Sequence, residues 1–218
     1  MNKKIWVIGT AVLLIGAFFV GAVLYADKTK QQAAKLAQDH REALVRPHSP
    51  VYGSEAAKVA IVEFLDPACE TCRAFYPIVK SLVDASFGQV KLVVRYAPFH
   101  QGSEQAVRIL EAARMQNKYW QAMEATFASQ PIWAPHDAPQ PALIWDHIQT
   151  TGIDIAKAKA DMNDPRTASI LAQDVADLKL LGVTQTPGFF VNGKPLVEFG
   201  PNQLKALIDQ EVRAAYGK

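Results

Sequence analysis

Residues 58–72 read "KVAIVEFLDPACETC", and the structural signal changes in the middle of the stretch. As far as Asp66 the residues are β-formers, apolar on both alternating sides except at Glu63, which is the pattern of a strand buried on two faces. From residue 69 to 87, Phe75, Ile78, Val79 and Leu82 recur at helical spacing. "QVKLVVRYAPF", residues 89–99, is a second strand. The three segments make a βαβ unit, with both cysteines of the chain, Cys69 and Cys72, at the turn from strand to helix.

Downstream the periodicity stays helical. Helices are expected over 103–116, 118–128, 142–151, 154–162 and 165–181, with a loop rich in proline (Pro131, Pro135, Pro139, Pro141) among them. Asp164 before Pro165 has the form of an N-cap followed by proline at the first helical position. "GFFVNGKPLVEFG", residues 188–200, reads as a hairpin with a type I′ turn at Asn192–Gly193 and arms Phe189–Val191 and Leu196–Phe199. A last helix covers 202–216. The order is βαβ, a helical block, then ββα.

Upstream, "MNKK" precedes an uncharged run from Ile5 to Ala26. About 22 residues give about 33 Å of helix, enough for a hydrocarbon core of about 30 Å. Leu24 fits poorly at the −3 place of a cleavage site after Ala26, so residues 1–26 are expected to be a signal anchor, with a removed signal peptide as the alternative. Lys3 and Lys4 favour a cytoplasmic N-terminus, although Lys28 and Lys30 weaken the bias. Either reading exports the remainder. In a bacterium that means a single-pass inner-membrane protein facing the periplasm, or a soluble periplasmic one, in a compartment that permits disulfides. Residues 27–49 read as a polar helical stalk or linker, ended by Pro47, Pro50 and Gly53, with an oligomerisation helix as the alternative. Residues 50–218 form the domain, its helical insertion at about 100–181.

Composition excludes several classes. A net charge of +2 over 218 residues, with no basic run and no glycine-rich phosphate loop, does not describe a nucleic-acid binder. Two cysteines cannot staple a scaffold. As metal ligands they supply half of a four-ligand zinc site, and the five histidines show no complementary spacing, so no metal is expected. As an inert bridge they close too small a loop to constrain the unfolded chain much.

The pair's position suits thiol–disulfide exchange. A cysteine at a helix N-terminus meets free amide N–H groups and the positive end of the dipole, both of which stabilise thiolate. Cys69 is thus the expected nucleophile, and Cys72, one turn deeper, the resolving thiol. Glu63 is expensive in an apolar strand unless it has a task. Burial would raise its pKa and suit it to exchange protons with Cys72, the alternative being an ion pair with Lys58. Thr186–Pro187 stands just before a strand, where proline marks an edge or a special turn. A cis bond there would free backbone groups for an extended substrate, and an ordinary trans turn is the alternative. His100 reads as a helix-entry or surface residue and Trp120, Trp133 and Trp145 as packing.

Taken together, "VEFLDPACETC", "GVTQTPGFFVNGK" and the helical block between the two halves resemble the DsbA-like branch of the thioredoxin superfamily over residues 50–216. The resemblance implies a thioredoxin fold with an inserted helical subdomain and thiol–disulfide oxidoreduction on exported proteins. It implies no cofactor beyond the Cys69–Cys72 disulfide, and reoxidation by a DsbB-like membrane partner. Nucleophile, resolving cysteine, buried acid and cis-proline map to Cys69, Cys72, Glu63 and Pro187. Dithiol oxidase is the expected direction. A reductase or isomerase, or a non-catalytic peptide or metal chaperone, are the alternatives. Two departures stand out. Strong oxidases of the family carry Pro-His between the cysteines, whereas this chain carries Glu70–Thr71. A carboxylate there is expected to raise the Cys69 pKa above that of such relatives and make a milder couple, with Thr71 a possible hydrogen-bond donor. Gly188 replaces a frequent threonine and is expected to open the groove beside Pro187.

Overall fold

A computed structural model describes residues 3–217. Met1, Asn2 and Lys218, the ends of the expected anchor and of the expected domain, lie outside the described residues. Helix α1, Lys3–Asp39, runs unbroken from the apolar segment into the polar one. By length and composition, Val12–Asp39 is apolar enough to cross a membrane.

The domain is built on five strands: β1 (Val51–Gly53), β2 (Val59–Leu65), β3 (Val90–Tyr96), β4 (Gly188–Val191) and β5 (Lys194–Pro195), ordered β1-β3-β2-β4-β5. β2 and β3 are parallel, joined by α2 (Glu70–Asp84); β1, β4 and β5 pair antiparallel to their neighbours. Between β3 and β4 come α3 (Ser103–Arg114), α4 (Tyr119–Ala128), α5 (Gln130–Trp133), α6 (Ile144–Ile148), α7 (Ile155–Asp161) and α8 (Pro165–Leu180), and α9 (Pro201–Tyr216) ends the chain. The fold is the mixed α/β one that the order of elements implied, βαβ and ββα around a helical insertion.

Alternation along β2 explains why the strand is apolar throughout. Val59, Ile61 and Leu65 join the large core under α2, α9 and the insertion, whereas Val62 and Phe64 face a second core. That second core is closed by Leu178 and Leu181 and by Ala37, Ala43 and Leu44. The segment read as a stalk is therefore a helix only to Asp39, and its end is packed on the sheet: Ala37 and Ala43 are fully buried. Small side chains let the helix end approach closely, and a 3-10 turn at Arg41–Ala43 redirects the chain into β1. β1 was not foreseen. Its three residues lie where Pro50 and Gly53 read as a break, and they cover the edge of β3.

The hairpin turn has positive φ at both Asn192 (48°) and Gly193 (84°), as a type I′ turn requires. Its second arm differs from expectation. The strand is Lys194–Pro195, and Leu196 makes one further bond, N–H to the Phe189 carbonyl, at 2.9 Å. Beyond that the chain leaves the sheet, and Phe199 packs on Phe75 with ring centroids 4.6 Å apart.

Candidate active site

Cys69 is the N-cap of α2, with extended backbone angles (φ −76°, ψ 121°), so the first free N–H groups of the helix point back toward its sulfur. Cys69 Sγ donates to the Thr186 carbonyl at 3.4 Å, on the residue whose bond to Pro187 is cis. Chain segments 117 residues apart thus meet at one sulfur. Both cysteines are thiols here. Cys72 is fully buried, and Cys69, the expected accessible member, is only 6% exposed.

The two thiols are pushed in opposite directions. The Cys69 pKa falls to about 5, chiefly because Cys72 donates a hydrogen bond to its sulfur. Burial opposes this, while a hydrogen bond from the Thr186 side chain and the N–H groups of Cys72 and Thr71 assist it. Cys72 is raised well above the ordinary thiol range by burial, by giving its hydrogen bond to Cys69, and by the nearby Glu63. Thr71 thus contributes its backbone amide, whereas the reading from sequence assigned it a possible donor role without saying which group.

Glu63 is fully buried, and neither of its oxygens has a hydrogen-bond partner among the described residues. Burial, followed by the charge on Cys69, raises its pKa to about 8. The pairing with Lys58 is not what the fold uses, since β2 turns Glu63 inward between Val94 and Phe189. Gly188 is a correction. It alternates with Phe189, so it faces the second core, where a Cβ would meet Val183 Cγ1 at 3.0 Å; it permits that close packing and does not widen the groove by Pro187. Glu70 points outward, its side chain 65% exposed and 3.7 Å from His136 Nε2, and the strongest influences on Cys69 all come from other groups.

Several residues at the site carried little or no signal in the sequence. Asp66 is fully buried and accepts from the N–H groups of Ala68 (2.9 Å), Phe99 (2.8 Å) and His100 (2.9 Å), from His100 Nδ1 (2.7 Å) and from Ser103 Oγ. Its own N–H donates to Cys72 Sγ at 3.5 Å. It ties the loop after β3 to the cysteine turn; the one sequence clue was its place in an Asp-Pro turn. His100, read as a helix-entry or surface residue, does precede α3; it is held by that carboxylate and stands 6.4 Å from the His136 ring. The two histidines line a cleft of about 70 Å³ beside Ala68. A groove of about 830 Å³ between α2 and α4 is lined by neither cysteine nor Thr186 nor Pro187. Among the described residues no cluster of three or more His, Cys, Asp or Glu is placed to hold a metal ion.

Comparison with known proteins gives a consistent likeness. A family model described as Thioredoxin matches residues 46–210. The crystal structure of a thioredoxin-like oxidoreductase from Silicibacter pomeroyi is similar, at 30% identity and a TM-score of 0.69, covering 79% of this chain and 97% of that one. Disulfide bond formation protein D of Bacillus subtilis is 28% identical over 174 residues, 75% of this chain and 77% of the relative. A Na(+)/H(+) antiporter NhaA 3 of Salinispora tropica is 31% identical over 160 residues, 72% of this chain but 23% of the antiporter. The chain spans between 22% and 30% of the length of the first three curated relatives it matches.

Proposed function

The chain belongs to the thioredoxin family, in its DsbA-like branch of oxidoreductases, and on that premise we propose that it is a thiol–disulfide oxidoreductase that forms disulfides in exported proteins through a Cys69–Cys72 bridge. The observation that carries the reading is the opposed acidity of the two thiols, with Cys69 at about 5 and Cys72 raised far above it beside an unpaired Glu63. An acidic nucleophile favours the reduced enzyme, and so favours taking electrons from substrate thiols.

In the oxidising direction a substrate thiolate attacks Cys69 Sγ of the bridge. The S–S bond breaks, its electron pair goes to Cys72 Sγ, and Cys72 takes a proton from the Glu63 carboxyl, which at about 8 is mostly protonated at neutral pH. The second substrate thiolate then attacks the substrate sulfur of the mixed disulfide and releases Cys69 as thiolate. The substrate has lost two electrons and the enzyme is the dithiol. A quinone-linked, DsbB-like membrane protein is the proposed acceptor that restores the bridge. The Thr186 carbonyl beside Cys69 offers a backbone acceptor for an extended substrate. α1 tethers the domain to the inner membrane, with the domain on the periplasmic side.

Oxidation of a dithiol peptide and reduction of insulin, compared between wild type and Cys69→Ser, test the activity; a serine variant matching wild type in both would end it. Thiol trapping in cells tests the direction: a mostly oxidised pair supports the oxidase, a mostly reduced pair a reductase or isomerase.

A further inference from the structure

Gln130 opens α5 in the helical insertion and is 2% exposed. Its Nε2 donates to the carbonyl of Pro67 at 2.8 Å and to that of Cys69 at 2.9 Å. Both amide hydrogens are thus used, and the reversed amide would set Oε1 against two carbonyl oxygens, so its partners dictate its orientation. Oε1 itself is buried without a partner among the described residues. A side chain kept for packing alone would not leave a buried acceptor unpaired, because an apolar residue of similar shape avoids that desolvation. The Pro67 carbonyl receives no backbone N–H among the described residues, whereas that of Cys69 also accepts the Arg73 N–H at 3.1 Å. The corner that holds Gln130 is itself fastened: Ser129 Oγ bonds the Ala125 carbonyl at 2.8 Å and Trp133 Nε1 the Thr126 carbonyl at 2.8 Å.

We propose that Gln130 is a positioning residue for the redox pair, reaching from the insertion to hold the Pro67–Cys69 turn and to offset its carbonyl dipoles where the Cys69 thiolate forms. Two physical effects act together. The N–H groups of Thr71 and Cys72 point at the sulfur only while Cys69 keeps its cap conformation, and Gln130 holds the carbonyls on either side of Ala68. The carbonyl oxygens are also the negative ends of dipoles close to the anion, and an amide donating to both reduces their repulsion.

The inference rests on Cys69 being the nucleophile, and its test reads the thiolate directly, without turnover. In the reduced full chain, the ultraviolet absorbance of the thiolate is titrated for wild type, Gln130→Met, Gln130→Glu and Leu178→Ala, together with thermal melting. Gln130→Met and Gln130→Glu are expected to raise the Cys69 midpoint by about one unit. Reaction of Gln130→Met with glutathione disulfide slows severalfold near pH 5 and returns to the wild-type rate or above near pH 8, a profile that loss of stability alone does not produce. Leu178→Ala, in the second core on the far face of the sheet, melts earlier with an unchanged midpoint. Gln130→Glu, close in shape, decides the matter by itself if the methionine variant does not fold. Wild-type midpoints in the folded Gln130 variants overturn the inference; a wild-type chain without an acidic thiol fails the functional reading instead.

Discussion

Glu63 on β2 and Arg95 on β3 are both fully buried, on opposite faces of one parallel strand pair, and the fold surrounds them differently. Arg95 donates to Asp174 Oδ1 at 2.9 and 2.7 Å, to Asp177 Oδ2 at 2.6 Å and to the Ala43 carbonyl. Asp174 also takes the Tyr96 N–H at 2.8 Å and His48 Nε2 at 2.7 Å, and Asp177 takes Arg46 at 2.8 and 2.6 Å. Burial pushes the Asp177 carboxyl up, but the bonds from Arg46 and Arg95 outweigh it and hold the carboxyl below its usual value. Glu63 has no such partner. The paired cluster pins residues 43–48, which follow the apolar helix, to β3 and α8, and so serves the architecture. The unpaired acid destabilises the fold at neutral pH and keeps a proton available beside Cys72. A buried charge with partners is a fastening, and a buried acid without them is left with a proton to exchange.

Four measurements put that contrast at risk. Arg95→Met leaves Asp174 and Asp177 buried without their central cation and should cost about 3–5 kcal/mol in denaturant unfolding; a cost under about 1 kcal/mol would show the cluster to be ornamental.

Glu63→Gln should act in the other sense. The Glu63 pKa of about 8 in the fold lies above its ordinary 4.5, so the unfolded chain releases the proton first, and the native state loses stability as pH rises from 4.5 through 8. The variant should be more stable than wild type by about 4 kcal/mol at pH 7.5 and gain little at pH 4. It should also exchange disulfides about a hundredfold more slowly. Unfolding curves at the two pH values decide the first point, and a pH-independent difference would refute it.

Third, the depressed Cys69 pKa stabilises the reduced fold in full above the ordinary thiol value of 9.0, and that contribution shrinks as pH falls from there and is lost through about 5. Reduced protein should melt above oxidised protein at pH 7, with the gap closing toward pH 4.5. Fourth and smallest, Glu70→Gln should move the Cys69 midpoint by less than about half a unit, since exposed charges are well screened. The couple should still be milder than about −120 mV in glutathione buffers, because the strongest oxidases reach a thiol pKa of about 3.5.

Much of the fold was legible because its signals are local. Alternation marked β2 and β3, helical spacing marked α2 to α4 and α7 to α9, and Asn192–Gly193 marked a turn that only positive φ can make. Asp164 accepts the Arg166 N–H at 2.8 Å, as an N-cap before proline should. Where the reading went astray, a neighbour distant in sequence had decided the outcome. Phe199 left the sheet to pack on Phe75, and Gly188 turned to the second core because β4 alternates and Phe189 takes the side of Glu63.

For the site itself, residue type and spacing alone were enough to single out the candidate groups: two thiols three residues apart at a strand-to-helix turn, an acid six residues upstream within an apolar strand, and a Thr-Pro before the last hairpin. These are properties of spacing and residue type, and a strand or a helix N-terminus transmits them without outside help. What surrounds them came from the fold as a whole. Gln130 meets carbonyls 61 and 63 residues away, Thr186 meets a sulfur 117 away, and His136 meets Glu70 across the insertion. Hydrogen bonds and charges act over a few ångströms of space, and which side chains share those few ångströms is set by how the insertion packs on the sheet, which no local pattern records.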